Sequence, residues 1–477
     1  MERPNIIIIF CDDLGYGDIG CYGSEVNRTP VIDQMAKEGI QFTDFYVTSP
    51  VCSPSRSSLM TGCYPKRVGL DSGDDYGVLL PGDPIGLHPD EITVADILKE
   101  SGYSTKMIGK WHLGDQPEFL PTNHGFDSYF GLPYSNDHYA KRPEKFRVHL
   151  PERFSQHRFN PLPLMKDDEV YELEPDQSSL TERYTEEAIS FIRENRDSPF
   201  FLYFAHLYVH TPLFPPQSFL DKSNNGAYGA EVEVIDWSAG MIMQTLKELE
   251  IDDNTLVIFT SDNGSTGKLG GSNDPLRGTK GTTWEGGMRE PCVMRWPAAI
   301  PAGTVSNELV TSMDFLPTMA NISGGNVPGD RIIDGHDILP LMRGDLDTST
   351  PYESFFYFGS GDHTLHAVRS GDWKLHLIRK ELYNLASDIS EQNDVFSEFP
   401  EVVERLEIMA EGCRKDLGDA HTGTEGENIR PVGRVSNPQL LTSLDEMSPE
   451  VRALYDLDDT AGIFFPFPST YMKDEEN

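Results

Sequence analysis

Residues Pro4-Asn5-Ile6-Ile7-Ile8-Ile9-Phe10 indicate the class of fold, because they form a continuous apolar run that is rich in β-branched side chains. Such a run is typical of a strand that is buried on both faces of a parallel sheet. It ends abruptly at Cys11-Asp12-Asp13, so that two carboxylates follow the strand directly. The sequence therefore predicts a central parallel strand with acidic side chains at its carboxyl end.

The same pattern of buried strand and amphipathic helix recurs along the first two thirds of the chain. We expect helices at residues 29–39, 93–101, 181–194 and 232–249, and further strands at 105–108, 200–205 and 255–259. Helices that alternate with buried strands predict an α/β fold with a mostly parallel sheet flanked by helices.

Past residue 345 the pattern changes to short strands separated by turns such as Ser370-Gly371-Asp372. We expect a smaller carboxyl-terminal domain with an antiparallel sheet and one helix, which gives domains at 1–345 and 346–477. The predicted elements are strands at 355–358, 365–369 and 373–378, a helix at 400–417, and an extended or frayed tail at 423–438 and 473–477.

Composition excludes some partners. The 477 residues include 39 Lys and Arg against 77 Asp and Glu, a formal net charge of −38. Nucleic acids and anionic membranes would be repelled, and the simplest interpretation of the acidity is a solvated surface. If the substrate is an anion, the site must be a local positive region built from a metal ion and a few basic side chains.

The apolar run at 6–10 is far too short to cross a bilayer, and no basic segment or cleavage site precedes it. We therefore expect a cytoplasmic protein as the chain stands, or a periplasmic or secreted one if a signal peptide was removed. The six cysteines form no paired motif, which argues against a zinc site or a disulfide scaffold.

Four predicted strands end in polar side chains, which should meet at one edge of the sheet. An isolated Asp-Asp is usually a turn or a helix cap, but two strands that both end in oxygen ligands favour a cation. Oxygen ligands suit Ca²⁺ or Mg²⁺, and calcium tolerates irregular coordination better. The four clusters are Asp12-Asp13, Lys110 with His112, His206 with His210, and Asp262-Asn263.

Two further stretches carry candidate chemistry. Cys52-Ser53-Pro54-Ser55-Arg56 places a cysteine in a Ser- and Pro-rich turn before an arginine, which suggests an activated or modified thiol. The second stretch, at 102–114, contains Gly109-Lys110-Trp111-His112. Taken alone, Lys110 could equally be a surface charge and His112 a buried core histidine.

Together these stretches resemble the signatures of type I sulfatases, a family with an alkaline-phosphatase-like fold. The first matches Cys-x-Pro-Ser-Arg, and the second matches Gly-Tyr-x-Thr-x-x-x-Gly-Lys-x-x-His, with the His two rather than three residues past the Lys. The likeness covers roughly residues 4 to 440 and is strongest to the arylsulfatase A and galactosamine-6-sulfatase branch. Further family-like segments lie at 12–18, 209–212, 261–264, 280–291, 382–385 and 391–393.

The resemblance implies a modified nucleophile and one calcium ion. A formylglycine-generating enzyme or an anaerobic sulfatase-maturating enzyme would oxidise Cys52 to formylglycine, whose hydrated aldehyde attacks the sulfur of a sulfate ester. The implied calcium ligands are Asp12, Asp13, Asp262, Asn263 and residue 52.

The resemblance also implies a role for each charged side chain. Asp262 would deprotonate the attacking hydroxyl, while Lys110 and Lys280 hold the sulfate oxygens. His210 would protonate the leaving alcohol, His112 would deprotonate the second hydroxyl, and Arg56 would orient the diol. The neighbouring His206 is interpreted as structural.

The expected function is that of a sulfuric ester hydrolase acting on a sulfated carbohydrate, in exo fashion, or on an aryl sulfate. Residues 131–138, with His363 and His366 from the smaller domain, are candidates to line the pocket. Two alternatives remain, a phosphonate or phosphate monoester hydrolase on the same scaffold and a non-catalytic calcium-bound glycan-binding relative. The oligomeric state is left open.

Overall fold

A computed structural model describes residues 3–139, 160–345 and 348–443, so the predicted acidic end at 473–477 lies outside the described residues. The strands are β1 (Asn5–Cys11), β2 (Ile40–Tyr46), β3 (Ile85–Gly86), β4 (Ser104–Lys110), β5 (Ser128–Leu132), β6 (Pro163–Lys166), β7 (Glu169–Leu173), β8 (Phe200–Ala205), β9 (Thr255–Ser261), β10 (Arg289–Arg295), β11 (Thr304–Ser306), β12 (Val310–Thr311), β13 (Phe355–Phe358), β14 (Leu365–Ser370), β15 (Trp373–His376), β16 (Glu381–Asn384) and β17 (Gly433–Arg434). The α-helices are Pro30–Glu38, Cys52–Thr61, Val94–Glu100, Leu180–Glu194, Gln217–Leu220, Gly226–Glu248, Glu285–Met288, Phe315–Ser323, Leu339–Met342 and Pro400–Leu417.

The central sheet confirms the predicted α/β fold. Its strands follow the order β11-β2-β10-β9-β1-β8-β4-β5-β6-β7, and β12 pairs with β2. The middle strands β9, β1, β8, β4 and β5 run parallel, with Ile8 of β1 opposite Tyr203 and Ile258 of its two neighbours. All seven residues of β1 are buried, because the sheet is covered on both faces.

The sheet also has antiparallel members that the sequence did not predict. β10 lies antiparallel between β2 and β9, and β6 and β7 extend the opposite end as antiparallel strands. The long helix Gly226–Glu248 begins six residues before the predicted start at 232. No helix within the described ranges combines the length and apolarity that crossing a membrane requires.

The predicted antiparallel sheet near the carboxyl end is confirmed, in the order β13-β14-β15-β16. Its first strand packs on the large sheet, since the ring of Phe355 lies 5.2 Å from that of Tyr46. Both sheets share one hydrophobic core, so the domain boundary at residue 345 stays a prediction. The predicted helix at 400–417 is confirmed, and part of the 423–438 stretch forms β17, which pairs with β3.

Replacing Ile8 by Ala should destabilise the protein by about 2–5 kcal/mol, because the side chain is fully buried in the central strand. The measurement is the free energy of unfolding from urea denaturation followed by tryptophan fluorescence. Val305→Ala on the edge strand β11, where the side chain is 65% exposed, should change that free energy by less than about 0.5 kcal/mol. Equal losses from the two variants would contradict a central position for β1.

Candidate active site

The central parallel strands bring their polar ends to one edge of the sheet. β9, β1, β8 and β4 are neighbours, so the residues that follow them share that edge. The backbone N–H of Asp13 donates to Asp262 Oδ1 at 3.1 Å, and Lys110 Nζ lies 2.5 Å from Asp12 Oδ2. Three of the four predicted clusters are therefore joined by direct contacts.

Cys52 is the first residue of the helix Cys52–Thr61, which is buried along its whole length. Val51 precedes it in an extended conformation and its side chain cannot cap the helix, so the first backbone N–H groups, which have no partner within the helix, are not satisfied by a side-chain cap. Such a helix start favours an anion. The Cys52 Sγ lies 3.5 Å from Asp12 Oδ1 and 3.3 Å from Lys280 Nζ, which joins the helix to the strand ends.

Arg56 lies one helical turn after Cys52 and links three elements. Its Nε and Nη2 donate to Asp262 Oδ2 at 3.0 and 2.7 Å, and its Nη1 donates to the carbonyl oxygen of Lys110 at 2.9 Å. Because all of its side chain is buried, these charge-assisted bonds hold Asp262 in a fixed orientation.

The arrangement of acidic side chains fits a cation. Asp12, Asp13, Cys52 and Asp262 each offer a ligand atom, and these atoms lie within 4.8 Å of one another. Asn263 Nδ2 donates to Asp13 Oδ1 at 2.8 Å, which leaves the buried Asn263 Oδ1 without a partner among the described residues. Carboxylate and amide oxygens of this kind suit calcium or magnesium.

Basic side chains balance the buried carboxylates. Lys280 Nζ lies 2.6 Å from Asp13 Oδ1, and Lys110 pairs with Asp12 as described above. Burial alone would raise the pKa of Asp12, but Lys110 and the other basic side chains around it, among them Arg56 and Lys280, together outweigh burial and hold that pKa well below its usual range. Burial raises the pKa of Asp13 to about 6 in spite of Lys280.

The environment of Cys52 keeps its thiol protonated. Burial, reinforced by the negative charge of Asp12, raises the pKa of the Cys52 thiol. An unmodified cysteine is a nucleophile only as the thiolate, so this position does not favour ordinary thiol catalysis.

Two residues hold the ring of His210, Ser135 and Asn136. Both lie in the 131–138 stretch, which the sequence predicted to line the pocket without giving either residue a role. The His210 Nδ1 lies 3.3 Å from Asn136 Oδ1 and 3.4 Å from Ser135 Oγ. Asn136 Nδ2 already donates to Gln177 and Pro212, so its Oδ1 must accept from His210. The neutral ring then presents a lone pair at Nε2, which lies 4.0 Å from Asp13 Oδ2.

His112 has the opposite tautomer. Its Nε2 lies 2.9 Å from the carbonyl oxygen of Leu79, which can only accept, so Nε2 carries the proton. Its Nδ1 is buried and has no partner among the described residues, so it keeps a free lone pair. The backbone N–H of Leu79 donates to Ser53 Oγ, so Leu79 contacts both His112 and the start of the Cys52 helix.

The remaining predicted residues lie around this centre. His366 Nδ1 is 3.3 Å from Thr283 Oγ1, three residues from Lys280, whereas His363 Nδ1 pairs with an aspartate, Asp71, at 2.7 Å. His206 is fully buried, and neither ring nitrogen has a partner among the described residues.

Comparison with known proteins identifies the family. The sulfatase family model matches residues 4–325, and the model of the N-sulphoglucosamine sulphohydrolase carboxyl-terminal region matches residues 279–415. N-acetylgalactosamine-6-sulfatase from Canis lupus familiaris is 41% identical over 389 residues, which cover 79% of this chain and 72% of the relative. Human arylsulfatase A is 41% identical over 385 residues, which cover 78% of this chain and 74% of that relative. Human steryl-sulfatase is 39% identical over 433 residues, which cover 77% of this chain and 74% of that relative.

Solved structures of similar fold include a protein crystallised with a carbohydrate and a hydrolase of another ester class. Ps i-CgsB, crystallised in complex with k-i-k-neocarrahexaose, superposes with a TM-score of 0.76 at 31% identity, covering 86% of this chain and 92% of that one. The phosphonate monoester hydrolase of Agrobacterium radiobacter superposes with a TM-score of 0.60 at 20% identity, covering 86% and 94%, which shows the fold alone. By its sequence and its alkaline-phosphatase-like fold, this chain belongs to the type I sulfatase family and is a sulfatase, an enzyme that hydrolyses sulfate esters.

Proposed function

We propose that this sulfatase removes sulfate from a sulfated carbohydrate, in exo fashion, with residue 52 as a formylglycine nucleophile beside a calcium ion. One observation carries the proposal. Cys52 begins a buried helix, with its Sγ 3.3 Å from Lys280 Nζ and 3.5 Å from Asp12 Oδ1, inside a cluster of oxygen ligands. As formylglycine, residue 52 would supply a hydrated aldehyde whose second hydroxyl allows the sulfated enzyme to release sulfate.

The calcium would be held by Asp12, Asp13, Asp262 and Asn263 together with residue 52. The unpartnered Asn263 Oδ1 and the close spacing of the carboxylates support this set. When bound, the ion would supply two positive charges to a site in which three carboxylates and three basic side chains otherwise cancel.

The lysines and Arg56 have electrostatic roles in this proposal. Lys110 and Lys280 contact Asp12 and Asp13 from separate elements, so both ammonium groups are close enough to bind sulfate oxygens beside residue 52. They need not move a proton to do so. Arg56 fixes the orientation of Asp262, which we assign as the base for the attacking hydroxyl.

The two histidines would transfer protons in two different steps, the departure of the alcohol and the release of sulfate. Asn136 fixes the ring of His210 through Nδ1–H, so Nε2 is the atom that would first gain a proton, giving the imidazolium, and then pass that proton to the leaving alcohol. Leu79 fixes His112 through Nε2, so Nδ1 is the atom that would accept a proton when sulfate is expelled.

Burial of Cys52 supports an order of events for its modification. The residue is 2% exposed, and the helix that it begins is buried throughout. A maturating enzyme would therefore reach the thiol before the chain folds. Either a formylglycine-generating enzyme or an anaerobic sulfatase-maturating enzyme would serve as this partner.

The carbohydrate assignment is supported by the relatives. The N-acetylgalactosamine-6-sulfatases are named for a sugar sulfate, and Ps i-CgsB was crystallised with a carbohydrate. We expect release of sulfate from position-defined sulfated monosaccharides, measured by ion chromatography, with rates that differ among positions. Turnover of simple aryl sulfates alone, with every sugar inactive, would contradict this assignment. Faster hydrolysis of phosphonate than of sulfate monoesters with the same leaving alcohol would favour the phosphonate alternative.

Cys52→Ala should lower turnover by a factor on the order of 10⁶, as expected when a covalent nucleophile is removed. The far-ultraviolet circular dichroism should not change. Cys63→Ala is the matched control, since it alters another buried cysteine just past the same helix and should retain turnover. Mass spectrometry of the residue-52 peptide from the active enzyme should show the aldehyde. Substantial activity of Cys52→Ala, or an unmodified thiol in the active enzyme, would contradict the proposal.

Asn263→Ala should raise the calcium concentration for half-maximal activity about tenfold or more, because it removes a neutral oxygen ligand. Activity is measured after chelation and back-titration with calcium, and the calcium-dependent rise in unfolding temperature gives a second readout. Asn5→Ala is the control, because Asn5 is also buried but lies at the opposite end of β1. Equal shifts in the two variants would contradict the assignment of Asn263.

A further inference from the structure

The Lys280 loop, residues 277–285, is fixed on two sides. On the side of the active site, the backbone N–H of Lys280 donates to the carbonyl oxygen of Ser265 at 3.0 Å. That of Gly281 donates to the carbonyl oxygen of Pro50 at 2.9 Å, two residues before Cys52. The other side of the loop meets the four-stranded sheet near the carboxyl end of the chain.

Lys374, on the inner strand β15 of that sheet, bonds directly to the loop. Its Nζ donates to the carbonyl oxygen of Thr283 at 2.8 Å and to Glu285 Oε1 at 2.9 Å. It also lies 2.9 Å from Glu391 Oε1. The side chains of Lys374, Glu285 and Glu391 are all fully buried, so water does not compete for these bonds.

Glu391 holds the loop at both ends. Its Oε2 accepts from the backbone N–H of Glu285 at 2.8 Å, and its carbonyl oxygen accepts from Arg277 Nη1 at 2.7 Å. Its Oε1 also pairs with His376 Nε2 at 2.9 Å. The ring of His376 packs against that of Trp284, which lies inside the loop, with 4.2 Å between the ring centroids and a tilt of 41°.

Nearby cations keep the Glu285 carboxylate ionised. Burial alone would raise the pKa of Glu285, but Lys374, Arg289 and Arg369 outweigh it and lower that pKa to about 2. Glu285 also accepts from the hydroxyl of Tyr357 at 3.1 Å. Without Lys374, two carboxylates would be buried with one cation fewer, and the loop would lose a bond at Thr283, three residues from Lys280.

We propose that Lys374 and Glu391 are positioning residues, which set the Lys280 ammonium against residue 52 and the sulfate group. The inference rests on the proposed role of Lys280. Both residues bond to the backbone of the loop, so displacing either one displaces the chain that carries Lys280. Misplacing a group by about 1 Å can slow a reaction about a hundredfold, so this support contributes to catalysis without touching the substrate.

A second link between the same parts of the molecule provides a matched control. Arg67 is 2% exposed and pairs with Asp334 at 2.7 Å and with Asp416, on the helix Pro400–Leu417, at 2.6 Å. Within the described part of the chain, its side chain bonds to Asp334, Asp416 and the carbonyl oxygen of Asn428, and to no residue of the Lys280 loop. Arg67→Met therefore weakens the attachment of the small sheet's helix without altering Lys374.

The test uses the full-length, formylglycine-bearing enzyme and compares Lys374→Met with Arg67→Met. For Lys374→Met we expect the inhibition constant of inorganic sulfate and the KM for a sulfated sugar to rise about tenfold or more. Arg67→Met should lower the unfolding temperature while leaving both constants unchanged. Equal changes in both variants would overturn the proposal, because the effect would then come from a loosened subdomain.

A double-variant comparison isolates the link to Lys280. Adding Lys374→Met to Lys280→Ala should weaken sulfate inhibition no further, since the group being positioned is already absent. The proposal would be overturned if Lys374→Met raised the sulfate inhibition constant by the same factor with and without Lys280→Ala. If Lys280→Ala alone leaves sulfate inhibition and turnover unchanged, the proposed role of Lys280 fails as well. If Lys280→Ala has its effect and Lys374→Met has none, only the positioning inference fails.

Glu391→Gln provides a milder variant in case Lys374→Met does not fold. The amide oxygen can still accept from Glu285, but the charge that faces Lys374 is gone. We expect a smaller rise of the sulfate inhibition constant in the same direction. An unchanged constant in a folded Glu391→Gln enzyme would overturn the role of Glu391.

Discussion

The active site depends on one constraint, the burial of three carboxylates that each offer an oxygen within 4.8 Å of the others. Asp12 and Asp262 are fully buried and Asp13 is 4% exposed, so their charges must be balanced inside the protein. Three different elements supply the balance. The basic residues are Arg56 from the helix Cys52–Thr61, Lys110 from the end of β4, and Lys280 from the loop before β10.

A second buried cluster extends this dependence to the carboxyl-terminal sheet. It again contains three acidic and three basic side chains, nearly all excluded from solvent, and it joins the two sheets. Removing one partner would leave a charge buried and unpaired, so the small sheet cannot be altered independently of the large one. The members are Asp44, Glu285 and Glu391 with Arg289, Arg369 and Lys374.

The sequence predicted the parts of the fold and site that are local in the chain. The run at 6–10 gave β1, and the polar residues after each parallel strand met where the topology requires. β10 was not predicted, because Arg289–Arg295 contains two Arg, a Glu and a Pro, and its arginines are buried only by pairing with carboxylates that are distant in the chain, such as Asp44. The start of Gly226–Glu248 was missed because two glycines there weaken the helical pattern.

The site itself was predictable to the level of residue types and no further. The motifs around Cys52 and Lys110 specify which side chains take part, but the tautomers of the histidines depend on loop contacts. His210 is oriented by Asn136 and His112 by Leu79, which are 74 and 33 residues away in the sequence. Such contacts are set by how loops fold over the sheet edge, and no periodicity or spacing records them.

The acidity of the chain also limits how a sulfate ester can find this site. A net charge of −38 repels anions at long range, although salt screens that repulsion beyond about 8–10 Å. Attraction must therefore come from short-range contacts with the buried lysines and the proposed cation. Since Lys110 and Lys280 are bonded to carboxylates, their position matters more than their number. The precision with which the fold holds Lys280 is then a condition for binding the anion at all.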